Sequence, residues 1–345
     1  MRGGIRMEWQ IMERFPGIAC AWRNAAGKEA AEYTGAADQE NHVLVDENTI
    51  FPACSISKFI TAICVMKLHE KNLIDIDAPV NQYLRQWKLL TAEGNESGAP
   101  IRSLLNHTAG IVDGEDSFHG LRWGDPEISL LDILEGRTAY NHRPVRSEKP
   151  QGTAFEYSDA GFCVLQLLMQ EITRKAFVDI AREIVFDPLC LKSTFFASPG
   201  NVKCFENRMA AGYDDEGRPI SGRFPPVPDL AASGLWSTPK ELLAIAKEWI
   251  AAFHGGSALF QQKSTREMVK SAERFPWAGL GIFLRGEDTL VSQGWGENGQ
   301  CMLKMNCRTE EISVVMTNCD PGVDQAASGV ERLVDRNLTK ERDNP

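Results

Sequence analysis

The chain has 345 residues, of which 43% are hydrophobic and 24% charged, with a formal net charge of -10. That is the make-up of an ordinary globular protein with room for one large domain or two sharing an interface. The negative balance excludes nucleic acid and anionic membranes as partners, because both would repel it. No apolar run approaches the roughly 20 residues needed to span a bilayer. Residues 1–9 lack the apolar core of a secretory signal, so the chain as written is expected in the cytoplasm. Its nine cysteines are scattered without C-x-x-C spacing and read as small core residues in a reducing compartment. The six histidines show no metal-ligand spacing, and no metal or other cofactor is expected.

Taken from the N-terminus, the runs 17–22 and 31–35 are short and β-like, with turn residues between them, and predict a hairpin at one edge of a sheet. Next comes Pro52-Ala53-Cys54-Ser55-Ile56-Ser57-Lys58-Phe59-Ile60, which leads into an apolar helix carrying Ile63, Met66 and Leu68. Ser55 and Lys58 are three apart, so on a helix they share one face. A serine needs a neighbouring base to become a nucleophile, and a lysine can be that base if its surroundings hold it neutral. Free N–H groups at a helix start also favour negative charge. Burying Lys58 in so apolar a stretch would be costly without a purpose.

From Ser55 to about Ala210 the pattern is chiefly helical, with helices expected over 128–135, 161–173 and 177–185, the last ended by Pro188. His107 reads as a polar helix C-terminus, its imidazole meeting free carbonyls and Gly110 closing the turn. Tyr157 precedes the second helix, which Ser158 or Asp159 can cap. A packing tyrosine beside a cap accounts for that local sequence on its own. Ser237-Thr238-Pro239-Lys240 repeats the serine–lysine spacing. There a cap at Ser237 or Thr238, with proline in the first turn, suffices to explain it as the start of a helix running to Phe253.

The final third turns β, with strands expected over 279–284, 289–293, 301–305 and 312–316, before an amphipathic helix carrying Val330, Leu333, Val334 and Leu338. Gly294-Trp295-Gly296-Glu297-Asn298-Gly299 matches G-x-G-x-x-G, which has meaning only between a strand and a helix. Here strands stand on both sides, leaving no room for a crossover helix. No G-x-S-x-G elbow of a Ser-His-Asp hydrolase occurs. Strands at both ends and helices between imply an α/β (α+β) architecture. Its sheet draws on residues 1–75 and 211–345, residues 76–210 form a mainly helical insertion, and a site lies at their junction.

With Ser55, Lys58 and Tyr157 together, the chain resembles the serine β-lactamase-like family, which holds class C β-lactamases, penicillin-binding proteins, D-alanyl-D-alanine carboxypeptidases, D-amino-acid peptidases and related esterases. The likeness runs from about Gly17 to the last helix. It includes the stretches 72–80, 101–111, 187–191, 232–238 and 315–318 beside the S-x-x-K element. It implies an antiparallel sheet flanked by helices, plus an all-helical domain. It further implies that Ser55 is the acylated nucleophile, that Lys58 and Tyr157 share its proton and later activate water, and that the Ser55 backbone N–H is half of an oxyanion hole. Both bases start at about pKa 10, so the local field is expected to lower one of them.

Two departures from the family pattern carry weight. The Y-x-N element reads Tyr157-Ser158-Asp159, an acceptor where an amide donor is expected. The K-T-G or H-x-G element reads Ser292-Gln293-Gly294, with Gly294 aligned on the small third position because the strand passes close to substrate. The slipped register Gln293-Gly294-Trp295 would put a tryptophan there. In the preferred register Trp295 supplies the second oxyanion N–H, and Asp159, Ser292, Gln293 and Gly294 border the substrate. These changes favour an esterase or a D-amino-acid amidase or peptidase over a β-lactamase or carboxypeptidase. A catalytically weak penicillin-binding or sensing relative is the third reading. The expected partner is a small ester, amide or β-lactam, and the oligomeric state is left open.

Overall fold

The hairpin expected near the N-terminus is β1 (Gly17–Arg23) and β2 (Glu29–Asp38), paired antiparallel from Gly17 opposite Gly35 to Arg23 opposite Glu29. These details come from a computed structural model, which describes residues 14–122 and 125–339; the expectation about residues 1–9 lies outside them. Nearly every β1 residue is buried because both of its faces are covered. Ile18, Cys20 and Trp22 join one apolar cluster with Val330, Leu333 and Val334, whereas Ala19 and Ala21 face the main core.

In chain order follow β3 (Val43–Leu44), β4 (Phe51–Cys54), helix α1 (Ser57–Glu70), β5 (Leu90–Thr91), α2 (Ile101–Leu105), α3 (Leu130–Leu134) and β6 (Arg146–Ser147). Then come α4 (Asp159–Thr173), α5 (Phe177–Ala181), β7 (Phe195–Phe196), α6 (Leu230–Ser233), β8 (Leu235–Ser237), α7 (Pro239–Phe253) and α8 (Gln262–Met268). The chain ends in β9 (Phe283–Arg285), β10 (Thr289–Gly296), β11 (Gly299–Asn306), β12 (Ile312–Thr317), α9 (Gln325–Ser328) and α10 (Val330–Thr339).

Seven strands make one antiparallel sheet in the order β3-β2-β1-β12-β11-β10-β9. The pairing of β1 with β12 sets Ile18 opposite Thr317. Helix α10 covers one face of the sheet and α7 packs on the other. A smaller sheet, β4-β8-β7, lies beside it, and β5 and β6 form a short parallel pair. Helix α1 is buried on nearly all sides, which explains its lack of a polar stripe: it is the central helix, enclosed rather than resting on a surface. Among the described residues no helix is long and apolar enough to cross a membrane.

Two local differences from the sequence reading stand out. The helix from Phe177 does not run regularly to Val185 but passes into a wider turn over Arg182–Phe186. The strand expected over 279–284 begins only at Phe283. Before it, Gly281 donates to the Leu105 carbonyl at the end of α2 and lies so close to α1 that a Cβ there would stand 2.5 Å from the Ala62 methyl. That segment packs on helices and is not available for strand pairing. The G-x-G-x-x-G run, as the strands on either side implied, is the tight turn of the β10–β11 hairpin, with Gly296 opposite Gly299.

Candidate active site

Ser55 sits in the turn between β4 and α1, one residue before the helix cap Ile56. The turn is sharp: Cys54 has φ 45°, in the left-handed region that non-glycine residues rarely occupy. It is tied down by Ile56 N–H donating to the Ala53 carbonyl at 3.0 Å and by the Ser57 hydroxyl donating to the Cys54 carbonyl at 2.5 Å. The Leu235 N–H in turn donates to the Ser57 hydroxyl at 2.9 Å, which locks β8 against the turn.

Lys58 is buried, and its Nζ donates to Ser55 Oγ and to the Ala232 carbonyl, both at 3.0 Å. Its third partner is Asp159, whose Oδ1 lies 2.5 Å away and has no other partner. Burial works against the ammonium, but the charge of Asp159 and then Tyr157 outweigh it, so the Lys58 pKa is raised. Tyr157 is 42% exposed along its ring, while its hydroxyl is turned inward toward Lys58 and Ser55. Burial raises its pKa, Lys58 opposes the shift and Asp159 adds to it, with a net rise. The expected lowering of one base is therefore corrected. A carboxyl group stands where an amide was anticipated, and the pKa values of Lys58 and Tyr157 are both raised, which favours the ammonium and the phenol.

On the far wall, Gly294 of β10 passes so close to β4 that a Cβ would lie 2.4 Å from the Ala53 carbonyl and 2.3 Å from Cys301 Sγ. Trp295 pairs with Gln300, whose N–H and carbonyl both bond Thr317 Oγ1 on the other side of β11. The Trp295–Gln300 pair is therefore of the non-hydrogen-bonded kind, and the Trp295 N–H points to the outer edge of β10. Strand β9 covers that edge only along Thr289–Val291. The Trp295 indole is 45% exposed and donates to Asp320 at 2.7 Å.

Three residues that the sequence did not single out complete the surroundings. Asp113 accepts from Ser158 Oγ at 2.7 Å and from the Asp159 N–H at 2.6 Å, so it fixes the start of α4 from 45 residues away. Burial first and Asp159 second push its pKa up to about 6. Asp229 is fully buried, accepts from the Tyr140 hydroxyl at 2.6 Å and leaves Oδ2 without a partner; burial and then Asp159 push its pKa up to about 8. Helix-capping logic could have suggested an acceptor for α4, but nothing in the local sequence points to Asp113 or Asp229.

His107 does stand at the C-terminal end of α2, just past its cap Asn106, but its imidazole meets a backbone N–H and an aromatic ring rather than free carbonyls. It adopts φ 59° beyond α2, its ring stacks on Tyr157 at 4.5 Å, and its Nδ1 accepts from the Ser158 N–H at 3.1 Å. Burial and then Lys58 bring its pKa down to about 3, so it is neutral and serves as a prop for Tyr157. The second serine–lysine copy is structural: Thr238 caps α7 by accepting from the Glu241 N–H, and Lys240 pairs with Glu47 at the surface, 2.7 Å away.

Two cavities lie near the Ser55 turn, of which Ser55 borders the first. The first, about 310 Å³, is bordered by Ser55, Lys58, Tyr157, Phe283, Ser292 and Gln293. An aromatic group stands at its mouth, where Phe155 contacts Phe275, Trp277 and Phe283 with ring centroids 6.1–6.2 Å apart. The second, about 600 Å³, lies on the other side, bordered by Cys54, Tyr140, Asp159, Trp295, Glu297 and Asn298.

The family model described as Beta-lactamase matches residues 5–335. The chain is 30% identical over 173 residues to the unguisins hydrolase ungD' of Aspergillus campestris, a match covering 49% of this chain and 31% of that protein. It is 25% identical over 230 residues to the teichoic acid D-alanine hydrolase of Staphylococcus aureus, covering 66% of this chain and 52% of the relative. The chain thus spans about a third to a half of the length of these two relatives. The crystal structure of the D-amino acid amidase from Ochrobactrum anthropi SV3 superposes with a TM-score of 0.75 at 21% identity, covering 97% of this chain and 96% of that one. With the match running through both ends of the sheet and the S-x-x-K turn between them, this chain belongs to the beta-lactamase family.

Proposed function

We propose that the protein is a serine hydrolase that cleaves small esters or amides through an acyl-enzyme on Ser55. The observation that carries the reading is the placement of the buried Lys58 ammonium 3.0 Å from Ser55 Oγ and 2.5 Å from Asp159. Lys58 passes a proton to Asp159 as it takes the Ser55 proton, and the alkoxide attacks the carbonyl. The developing oxyanion lies between the N–H groups of Ser55 and Trp295. The Tyr157 phenol gives its proton to the leaving group and is reprotonated from Asp159 through Lys58, so the net transfer is from Ser55 to the leaving group. Water then repeats the sequence against the acyl-enzyme.

Esters and amides are favoured over β-lactams because the first cavity offers Ser292 and Gln293 where a substrate carboxylate would need a cation. The hydrolase relatives, among them one acting on D-alanine in teichoic acid, agree with acyl transfer to water. The test is intact-mass spectrometry after incubation with p-nitrophenyl esters, D-amino-acid amides and penicillins. A mass gain on Ser55 is expected with esters or amides, absent in Ser55→Ala, together with slow nitrocefin turnover. Acylation elsewhere would refute the site. Nitrocefin turnover matching the esters would make it a β-lactamase.

A further inference from the structure

Two thiols that the acylation chemistry does not use stand against the Ser55 turn. Cys54 closes β4, one residue before Ser55, and Cys301 lies on β11, paired with Gly294 of β10. Both are buried free thiols. The Cβ that Gly294 lacks would lie 2.3 Å from Cys301 Sγ and 3.0 Å from Cys54 Cβ, so both side chains crowd one point beside that glycine. They also act on each other directly, side chain to side chain. That proximity brings a disulfide within reach.

Hydrogen bonds tie both thiols to the turn. Cys301 Sγ donates to the Ala53 carbonyl at 2.8 Å, the same carbonyl that accepts the Ile56 N–H. Cys54 Sγ donates to the Gly299 carbonyl at 3.6 Å. A thiol is a weak donor, but each of these bonds uses the proton that a disulfide removes. The two thiols differ in access. Cys54 borders the second cavity, whereas Cys301 is fully enclosed. Burial first, and then Cys54, raise the Cys301 pKa, which keeps that thiol protonated. A small oxidant entering the cavity therefore meets Cys54 first, and Cys301 waits behind it.

We propose that Cys54 and Cys301 form an oxidisable pair, converted by a hydroperoxide into a disulfide that slows acylation of Ser55; the effect on Ser55 rests on its being the acylated nucleophile. Cys54 Sγ attacks one peroxide oxygen and the O–O bond breaks. Cys54 becomes a sulfenic acid, and the other oxygen leaves as water or an alcohol. Cys301 Sγ then attacks the Cys54 sulfur, the S–O bond breaks, and the hydroxide leaves as water with the Cys301 proton. Two electrons have passed from sulfur to oxygen, and a thiol reductant returns them by exchange. The link removes the thiol bonds to the Ala53 and Gly299 carbonyls and draws Cys54 toward β11. Cys54 already holds φ 45°, and its carbonyl accepts from the Ser57 hydroxyl at 2.5 Å, so its displacement carries the Ser55 turn with it.

The experiment treats the unmodified protein with hydrogen peroxide, blocks the remaining thiols with iodoacetamide and maps the tryptic peptides. Cys54 and Cys301 are each the only cysteine of their peptides, 29–58 and 286–304, so the pair gives one linked mass that dithiothreitol separates. Mapping rather than total thiol loss is the readout, because Cys190 and Cys204 are exposed to the same reagent. Labelling of Ser55 by a fluorophosphonate is expected to slow about tenfold or more in the linked form, since reaction depends steeply on the placement of the nucleophile, and to recover on reduction. Cys301→Ala, or Cys301→Ser should the first fail to fold, is expected to form no link and to keep its labelling rate through peroxide treatment. Absence of the linked peptide, or a linked peptide with unchanged labelling, overturns the proposal. Equal loss of labelling in the Cys301 variant places the damage elsewhere and overturns it too. A reduced protein that takes up no label overturns the serine hydrolase reading and the control of Ser55 with it, while the linked peptide then stands as a modification site alone.

Discussion

At the scale of single residues, the carboxylate at position 159, where the family pattern has an amide, sets the surroundings of Lys58. In the proposed mechanism Lys58 and Tyr157 share one proton path, so Lys58→Ala and Tyr157→Phe are each expected to lower kcat by roughly 10² or more. The double variant should be little worse than the poorer single one. Multiplying losses in steady-state kinetics would mean that the two do not share the path. Asp229 offers a test in stability. Its pKa is raised from the ordinary carboxylate value to about 8 by burial and by Asp159, so the folded protein binds a proton that the unfolded chain has already released. The stability contributed by this group is therefore present at low pH and lost as pH rises from about 4 toward 8. Asp229→Asn keeps an acceptor for Tyr140 and removes the buried charge. Its melting temperature relative to the unmodified protein should improve more at pH 8 than at pH 5, and an unchanged difference across that range would show Asp229 already neutral.

At the scale of elements, an exacting contact is that of β10 with the Ser55 turn. Gly294→Ala introduces a Cβ against backbone and sulfur, whereas at Gly296 the nearest atom is Cys54 Sγ at 3.1 Å. Gly294→Ala is expected to cost about 1–3 kcal/mol in stability and to lower kcat sharply, because β10 must move off the turn. Gly296→Ala should be milder on both counts, as thermal melting and steady-state kinetics will report. Likewise Thr238→Ala should remove only a helix cap, about 0.5–2 kcal/mol, and leave labelling of Ser55 intact. Much at this scale was legible in the sequence. Helix α7 begins and ends where the proline and the apolar period place it, and the final strands lie within a few residues of their expected positions, because each depends on local chemistry. The start of β9 was not legible, since Gly281 serves contacts with α1 and α2, and Gly279 a close approach to the end of α8, that only the folded chain brings together. Ser55 and Lys58 were visible because they lie one turn apart. The Asp113 bond to the start of α4 and the buried Asp229–Tyr140 pair span long stretches of chain and leave no periodic trace.

At the scale of the whole molecule, the sheet joins the earliest described strand to the last one, and this sets when the protein becomes chemically competent during synthesis. The Ser55 turn, Lys58 and Tyr157 leave the ribosome while β10 and β12 are still unmade. Until then β1 has no partner on its β12 side, and the wall carrying Gly294, Trp295 and Asn298 is missing. Joining ends so distant adds only modestly to the entropic cost of closure, which grows with the logarithm of loop length, but it makes assembly of the sheet late and slow. Nascent chains arrested before Thr289 should therefore take up no serine-directed fluorophosphonate, while released full-length chains label at Ser55; equal labelling would show that the turn is reactive without the far wall. Under the proposed function, the serine to be acylated is made early and the wall that would hold its oxyanion only when translation is nearly complete.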